Sequence, residues 1–349
     1  MKNKFWKNTV GIILIFSMFS TCLFGCSKKN LKLEPIEGTE FLLGTICSIK
    51  IYDKSDKDIL DKAFSRIKDI ENKMSVNIVD SEIYKLYELS GKESLEVSQD
   101  TFKVLTMGKE LSTTSEGNFD ITIGPLVKLW NIGTESAKVP SKEEISSTLP
   151  LIDYSKLTLD HTTSSAKLEV PGMRIDLGGI AKGYAADEAA TVLKNLGVEH
   201  GIINLGGNVL TIGGNIDHKD WNIGLQNPFE GRGEAIGSIK LKNSSIVTSG
   251  IYERYVEYDG KKYHHILNPK TGFPYENNIA GVTLITDSSI LGDALSTTIF
   301  SLGLENGLEF INSRNDAEAI FITKDSKLYF SNNIKDKFTL LDESFIIGE

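Results

Sequence analysis

Cysteine, proline and histidine are scarce, with 3 Cys, 8 Pro and 5 His among 349 residues. Three thiols cannot build a disulfide framework, and no pairing of Cys with His at zinc-finger spacing occurs. A chain of this length buries enough apolar surface to fold without covalent staples. Basic residues are also in deficit: 38 Lys and Arg stand against 47 Asp and Glu, a formal charge of −9. This excludes a general nucleic-acid binder, whose affinity comes from a basic face that displaces counterions. Strict repeats and low-complexity blocks are absent. What is there, 40% hydrophobic and 24% charged residues with 31 Gly, belongs to a folded globular protein of one large or two moderate domains.

The N-terminal apolar run, Val10 to Gly25, is about 16 residues, short of the roughly 20 that a bilayer-spanning helix needs. Lys2, Lys4 and Lys7 precede it, the pattern of a signal peptide. Leu23-Phe24-Gly25-Cys26 has the form of a bacterial lipobox, a large apolar residue three places before an acceptor Cys and a small one just before it. The expectation is a lipoprotein signal over 1–25, lipidation at Cys26, a tether over 26–40 and a single domain over 41–349, anchored on the extracytoplasmic face of a bacterial cell membrane. Cleavage removes three Lys and no acid, so the charge moves from −9 to −12. Of the remaining residues only Cys47 carries a thiol, expected as a small hydrophobe in a strand.

Thr45, Cys47, Ile49 and Ile51 alternate as in a half-buried strand. Leu60, Phe64, Ile67, Ile70 and Met74 fall on one stripe of a helix expected over Asp56 to Met74. Further helices are expected at Asp100–Ser115, Ile180–Leu196 and Ile290–Leu302. Short strands are expected at Lys156–Asp160, Lys167–Val170, Gly201–Asn208 and within Ile236–His265, with a closing hairpin at Ala317–Thr323 and Lys327–Phe330. Locally connected strands with helices inserted in groups predict an α+β fold with a largely antiparallel sheet.

Several short motifs could carry chemistry. Asp176-Leu-Gly-Gly-Ile-Ala-Lys182-Gly places a carboxylate, two glycines and a helix start together, where backbone N–H groups favour an anion. It is neither a Walker loop nor GxGxxG, and an ordinary strand-to-helix turn has the same letters. Asn118-Phe119-Asp120 could hold a flat ring and its polar edge, or be a turn packed by Phe119. Asp293 and Thr297 are four apart and share a helical face, which suits a hard cation completed by ligand phosphate; Asp293 as a helix N-cap is the alternative. His264 and His265 are adjacent on a strand and point to opposite faces, so one of them can address a given site. Asn204 to Asn208 and Thr248 to Arg254 are small-residue turns of structural type.

Joint occurrence decides among these readings. DLGGIAKGYAAD, NLGGN, TSGIYER, HHILNPKTGFP and GDALST occur in this order, and from Gly44-Thr45 to about Gly303 the chain resembles the ApbE-type flavin transferases, or FAD:protein FMN transferases. The resemblance implies a duplicated T-fold-like architecture with largely antiparallel sheets and inserted helices. It also implies Mg²⁺ as cofactor and FAD as substrate. The FMN half would pass to a Ser or Thr hydroxyl of an exported acceptor protein of membrane electron transfer, with release of AMP. Matching motifs put the metal at Asp293 and Thr297, with the Gly179 carbonyl as backbone ligand. Asn118, Phe119 and Asp120 would contact the flavin nucleotide, Asp176 and Lys182 would belong to the FAD pocket, and Leu267 would border it. His265 would take the proton from the incoming hydroxyl, with Asp293 acting through its metal.

Two positions depart from the family's pattern. Leu43 stands where Met is common, a volume-similar change that keeps an apolar contact with the flavin. Asn77 stands where a Tyr often lies against the nucleotide, and an amide cannot stack like a phenol. From that exchange one expects weaker FAD retention and some hydrolysis of FAD to FMN and AMP. The alternatives to a transferase are therefore a Mg²⁺-dependent FAD pyrophosphatase and a non-catalytic flavin-binding lipoprotein.

Overall fold

The computed structural model describes residues 33–231 and 233–348. The signal segment, Cys26 and the start of the tether lie outside the described residues. A compact unit begins at Pro35. Its first strand, Ile36–Leu42, pairs with Thr45–Ile51, so the boundary expected between residues 40 and 41 falls inside a hairpin. Ile36 and Leu42 turn into the core, and their burial draws this stretch into the sheet instead of the tether. Among the described residues no helix is long and apolar enough to cross a membrane.

Alternation produces the strands. Cys47, Ile49 and Ile51 are fully buried while their neighbours are not, as period-two side chains on a sheet require. Cys47 is the expected strand hydrophobe: its thiol donates to the Leu42 carbonyl at 3.4 Å, and burial pushes it up to about 11. Among the described residues the main sheet has nine strands in the order Ile36–Leu42, Thr45–Ile51, Gly201–Leu205, Asn208–Ile212, Ser245–Gly250, Ile279–Thr286, Ala317–Thr323, Lys327–Phe330 and Ile346–Ile347. Neighbours run antiparallel except the last pair, which is parallel.

Both faces of this sheet are covered. On one face lie helices Asp58–Met74, Ala181–Asn195 and Ser289–Asn312, whose Phe64, Ala186 and Leu295 share a core with Ile49, Leu205 and Leu284. On the other, a three-stranded sheet of Trp221–Gln226, Ala235–Leu241 and Phe338–Leu340 packs Ile239 with Ile246, Ile285 and Ile320. The strand Ile279–Thr286 lies between the two layers and is buried at every position, which explains its apolar run without alternation. This is the α+β arrangement with antiparallel sheets expected from the sequence.

The helices follow their patterns with shifted ends. The first starts at Asp58, because the Asp56 carboxylate accepts the Asp58 N–H from outside. Gln99–Thr114 is capped by the Ser98 hydroxyl and closed by Glu116 in the left-handed region, with the Gly117 N–H on the Ser112 carbonyl at 2.8 Å. The helix expected to stop at Leu302 kinks at Gly303 (φ 80°) and runs on to Asn312.

One close approach sets the position of two helices. Gly183, in Ala181–Asn195, lies against the start of Ser289–Asn312, where a Cβ would run into the Ser289 carbonyl and stand 2.7 Å from Ile290 Cα. Neither contact is a flexible side-chain end. Gly183→Ala is therefore expected to destabilise the protein by about 1–3 kcal/mol, read as a lowered urea midpoint. An unchanged midpoint would show that the two helices are free to separate.

Candidate active site

At the ends of these elements a cleft of about 420 Å³ opens, within the range of small-molecule sites. The turn Leu43-Gly44 forms one side. It is a two-residue hairpin loop with both residues in the left-handed region, φ 55° and 70°. The Leu43 N–H donates to the Glu71 carboxylate at 2.7 Å, which pins the strained turn and keeps Leu43 at the cleft.

Asn118, Phe119 and Asp120 form a second side. Phe119 is buried. Asp120 accepts the Thr122 N–H and hydroxyl, both at 2.7 Å, and the Tyr154 N–H at 3.1 Å, and burial raises its carboxyl above the ordinary range. Most of its acceptor capacity is spent on shaping the turn. Asn118 is tied to the Ser115 carbonyl through its amide nitrogen, at 2.8 Å, and accepts from Lys270 Nζ at 3.2 Å. Both readings of this segment are thus present together, a packed turn and a cleft wall.

The strand-to-helix turn at Asp176 forms the third side, and here the anion expected at the helix start belongs to the protein. Asp293 is 4% exposed. Its Oδ2 accepts the Gly183 N–H at 3.0 Å, and Lys182 Nζ lies 3.2 and 3.3 Å from its two oxygens. Lys182 also donates to the Gly178 carbonyl at 2.8 Å. The Gly178, Ile180 and Ala181 N–H groups bond to Asp176 and Leu177. A helix N-terminus favours negative charge, and this one holds a carboxylate from the neighbouring helix. Asp293 is not an N-cap: its helix begins at Ser289, and Asp187 accepts the Ser289 and Ile290 N–H groups at 2.9 and 3.0 Å. Asp176 is raised by burial, opposed by the Gly178 N–H and by the charges of Arg254 and Lys182.

Thr297 follows Asp293 by one turn and also lines the cleft, as does Gly179. A Cβ on Gly179 would stand 3.2 Å from the Phe119 ring and 3.4 Å from Thr297 Oγ1, so the glycine backbone lies close to both side chains. Ser296 faces away, donating to the Asp293 carbonyl at 2.7 Å. Among the described residues no three His, Cys, Asp or Glu side chains gather as a metal cluster. One carboxylate, one hydroxyl and a nearby backbone carbonyl form a small set of hard oxygen donors. That set fits Mg²⁺, which keeps water or substrate phosphate in its remaining positions.

The fourth side carries His265 and Leu267. His264 turns inward, with its Nε2 on the Tyr275 carbonyl at 2.9 Å; His265 turns to the cleft. The Arg254 carbonyl receives both the His265 backbone N–H, at 3.1 Å, and its Nδ1, at 3.2 Å. A carbonyl only accepts, so Nδ1 carries the hydrogen and Nε2 keeps its lone pair. Burial, with the Arg254 charge adding, pushes the imidazole from 6.5 down to about 3. The ring is neutral at pH 7.

Asn77 does not join the others. It is exposed in the turn after the first helix, its N–H on Ser75 Oγ at 3.2 Å, and it does not line the cleft. The chain leaves the Met74 end of that helix in an extended conformation that carries residue 77 into solvent. Conversely, Arg254 and Asn208 line the cleft without having been singled out as site residues. Both sit in turns whose small residues gave only a structural signal.

The lowered value of His265 has a consequence for folding. Between pH 6.5 and about 3 the unfolded chain holds a proton on this residue that the folded one lacks, so stability falls as the pH drops through that window. The effect is a fraction of the ~1.4 kcal/mol per pH unit of a fully shielded group, because His265 is half-buried. His265→Gln should lose less stability than the parent between pH 7.5 and pH 5 in urea titrations. Equal losses would mean that the ring titrates normally.

The sequence model of the ApbE family matches residues 43–321. A FAD:protein FMN transferase of Klebsiella pneumoniae (strain 342) is 39% identical over 304 residues, 87% of this chain and 94% of that protein. One from Treponema pallidum (strain Nichols) is 28% identical over 360 residues, covering 98% of each. The crystal structure of the ApbE protein from Thermotoga maritima superposes with a TM-score of 0.79 at 31% identity, over 87% of this chain and 99% of that one. With a cleft built from motifs spread along this same span, the chain belongs to the ApbE family and is a transferase.

Proposed function

We propose that this protein transfers FMN from FAD to a Ser or Thr hydroxyl of an exported acceptor flavoprotein of membrane electron transfer, with Mg²⁺ and with release of AMP. The observation that carries the reading is the Asp293 constellation. A buried carboxylate, a partner ammonium, a hydroxyl one turn on and a glycine backbone share one cleft with a neutral imidazole. The names of the relatives support the same activity.

Transfer forms a bond from the acceptor oxygen to the FMN phosphorus and breaks the bond from that phosphorus to the oxygen of AMP. Held by Asp293, Thr297 Oγ1 and the Gly179 carbonyl, Mg²⁺ would supply positive charge that offsets the diphosphate and the departing AMP. Lys182 and Arg254 add fixed positive charge in the cleft. The acceptor hydroxyl is too weakly acidic to ionise unaided, and the lone pair on His265 Nε2 is the proton acceptor within the cleft. A diphosphate beside the ring favours its protonated form and raises it from its low value, so substrate itself makes His265 a better base. Leu43 and Phe119 provide apolar surface for the flavin ring.

Hydrolysis of FAD to FMN and AMP as a side activity rested on Asn77, which lies away from the cleft. Residues 1–25 read as a lipoprotein signal and Cys26 as the lipidated residue, which would place the enzyme beside exported acceptors on the membrane's outer face. Incubation with FAD, Mg²⁺ and candidate exported flavoproteins should yield an acceptor whose mass increases by one FMN, with AMP formed in equal amount. Asp293→Ala should lower that rate on the order of a hundredfold or more while the protein stays folded. Undiminished transfer would sink the Asp293 assignment, AMP formed equally fast without acceptor would mean a pyrophosphatase, and FAD binding with neither product would mean a flavin carrier.

A further inference from the structure

Asn208 opens the strand Asn208–Ile212, directly after the Gly206-Gly207 turn. It is 1% exposed and nonetheless borders the cleft beside Gly206, Val247 and Thr45. Its Oδ1 accepts from the Ser289 hydroxyl at 2.7 Å, and Ser289 in turn receives the Ser245 hydroxyl at 2.9 Å. Its Nδ2 has no hydrogen-bond partner among the described residues. A buried donor without a partner costs stability, and such groups are rare enough that each calls for a partner from outside the protein or a structural reason.

The place of the amide indicates the ligand group. Ser289 is the first residue of the helix that carries Asp293, four residues or roughly 6 Å of helix rise earlier. The amide is therefore tied about one turn away from the carboxylate. We infer that Asn208 is a substrate-binding residue whose Nδ2–H₂ donates to an oxygen of the diphosphate of a flavin or adenine nucleotide. This inference rests on the proposed FAD-dependent activity. The Ser245–Ser289 relay holds the carbonyl end and leaves the donor end without a protein partner among the described residues. An uncharged donor adds recognition of a phosphate oxygen without adding a cation that would compete with Mg²⁺ for Asp293.

The test uses the full chain in detergent with Mg²⁺, titrated with FAD, ADP and riboflavin. Asn208→Asp keeps the size and the Oδ1 that Ser289 needs but replaces the donor with an acceptor. It should weaken FAD and ADP about tenfold or more and leave riboflavin unchanged. Asn208→Ala removes donor and acceptor together, should show the same split, and serves if the Asp variant fails to fold. FAD bound by Asn208→Asp as tightly as by the parent, or more tightly, would show that Nδ2 does not donate to the nucleotide and overturn the inference. So would an equal loss of riboflavin. A parent that binds neither FAD nor ADP would overturn the reading of function itself, and with it this assignment.

Discussion

A buried carboxylate has to be held by something, and in this protein what holds Asp293 also holds the site. Charge removed from water is tolerated only when paired and hydrogen-bonded. Asp293 obtains both from one neighbouring helix turn, through the Gly183 N–H and the Lys182 ammonium. The arrangement requires the two helices to approach so closely that only glycine fits at 183. Thr297, one turn beyond Asp293 on the same helix, lies close to Gly179. Helix packing and site geometry are thus one constraint.

The remaining walls repeat this economy, with backbone atoms positioning the side chains that face the cleft. The Arg254 carbonyl fixes the His265 tautomer, the Ser115 carbonyl holds Asn118, and the Leu43 turn is tied down at its own N–H. Backbone is a rigid reference because the sheet and its two covering layers fix it. The backbone of the cleft is therefore set by the fold, which suits chemistry that depends on position and charge more than on covalent steps.

The α+β class was legible because periodicity reports burial directly: Cys47, Ile49 and Ile51 for a strand, Phe64, Ile67 and Ile70 for a helix. Helix ends were less so, since they depend on caps such as Asp56 and Glu116 that act through a single hydrogen bond or dihedral. The site motifs were visible as letters, yet their meaning came from tertiary contacts. Glycines at 178 and 179 suggested a ligand close to backbone at the helix start, whereas in the first turn of that helix the Gly183 N–H binds Asp293. Asn77 was placed by analogy of position, and the extended backbone after Met74 carries it into solvent. Arg254 and Asn208 were missed because a turn of small residues says nothing about which wall of a cleft it will become.

What most needs testing is whether Asp293 exchanges its ammonium partner for a divalent cation when a nucleotide binds. Crystals grown with Mn²⁺ and ADP answer this through anomalous scattering. The account predicts one peak at metal–oxygen bonding distance from the Asp293 carboxylate, Thr297 Oγ1 and the Gly179 carbonyl, with Lys182 Nζ moved from Asp293 to a phosphate oxygen. ADP bound in the cleft with Lys182 still on Asp293, and the peak elsewhere or missing, would contradict it.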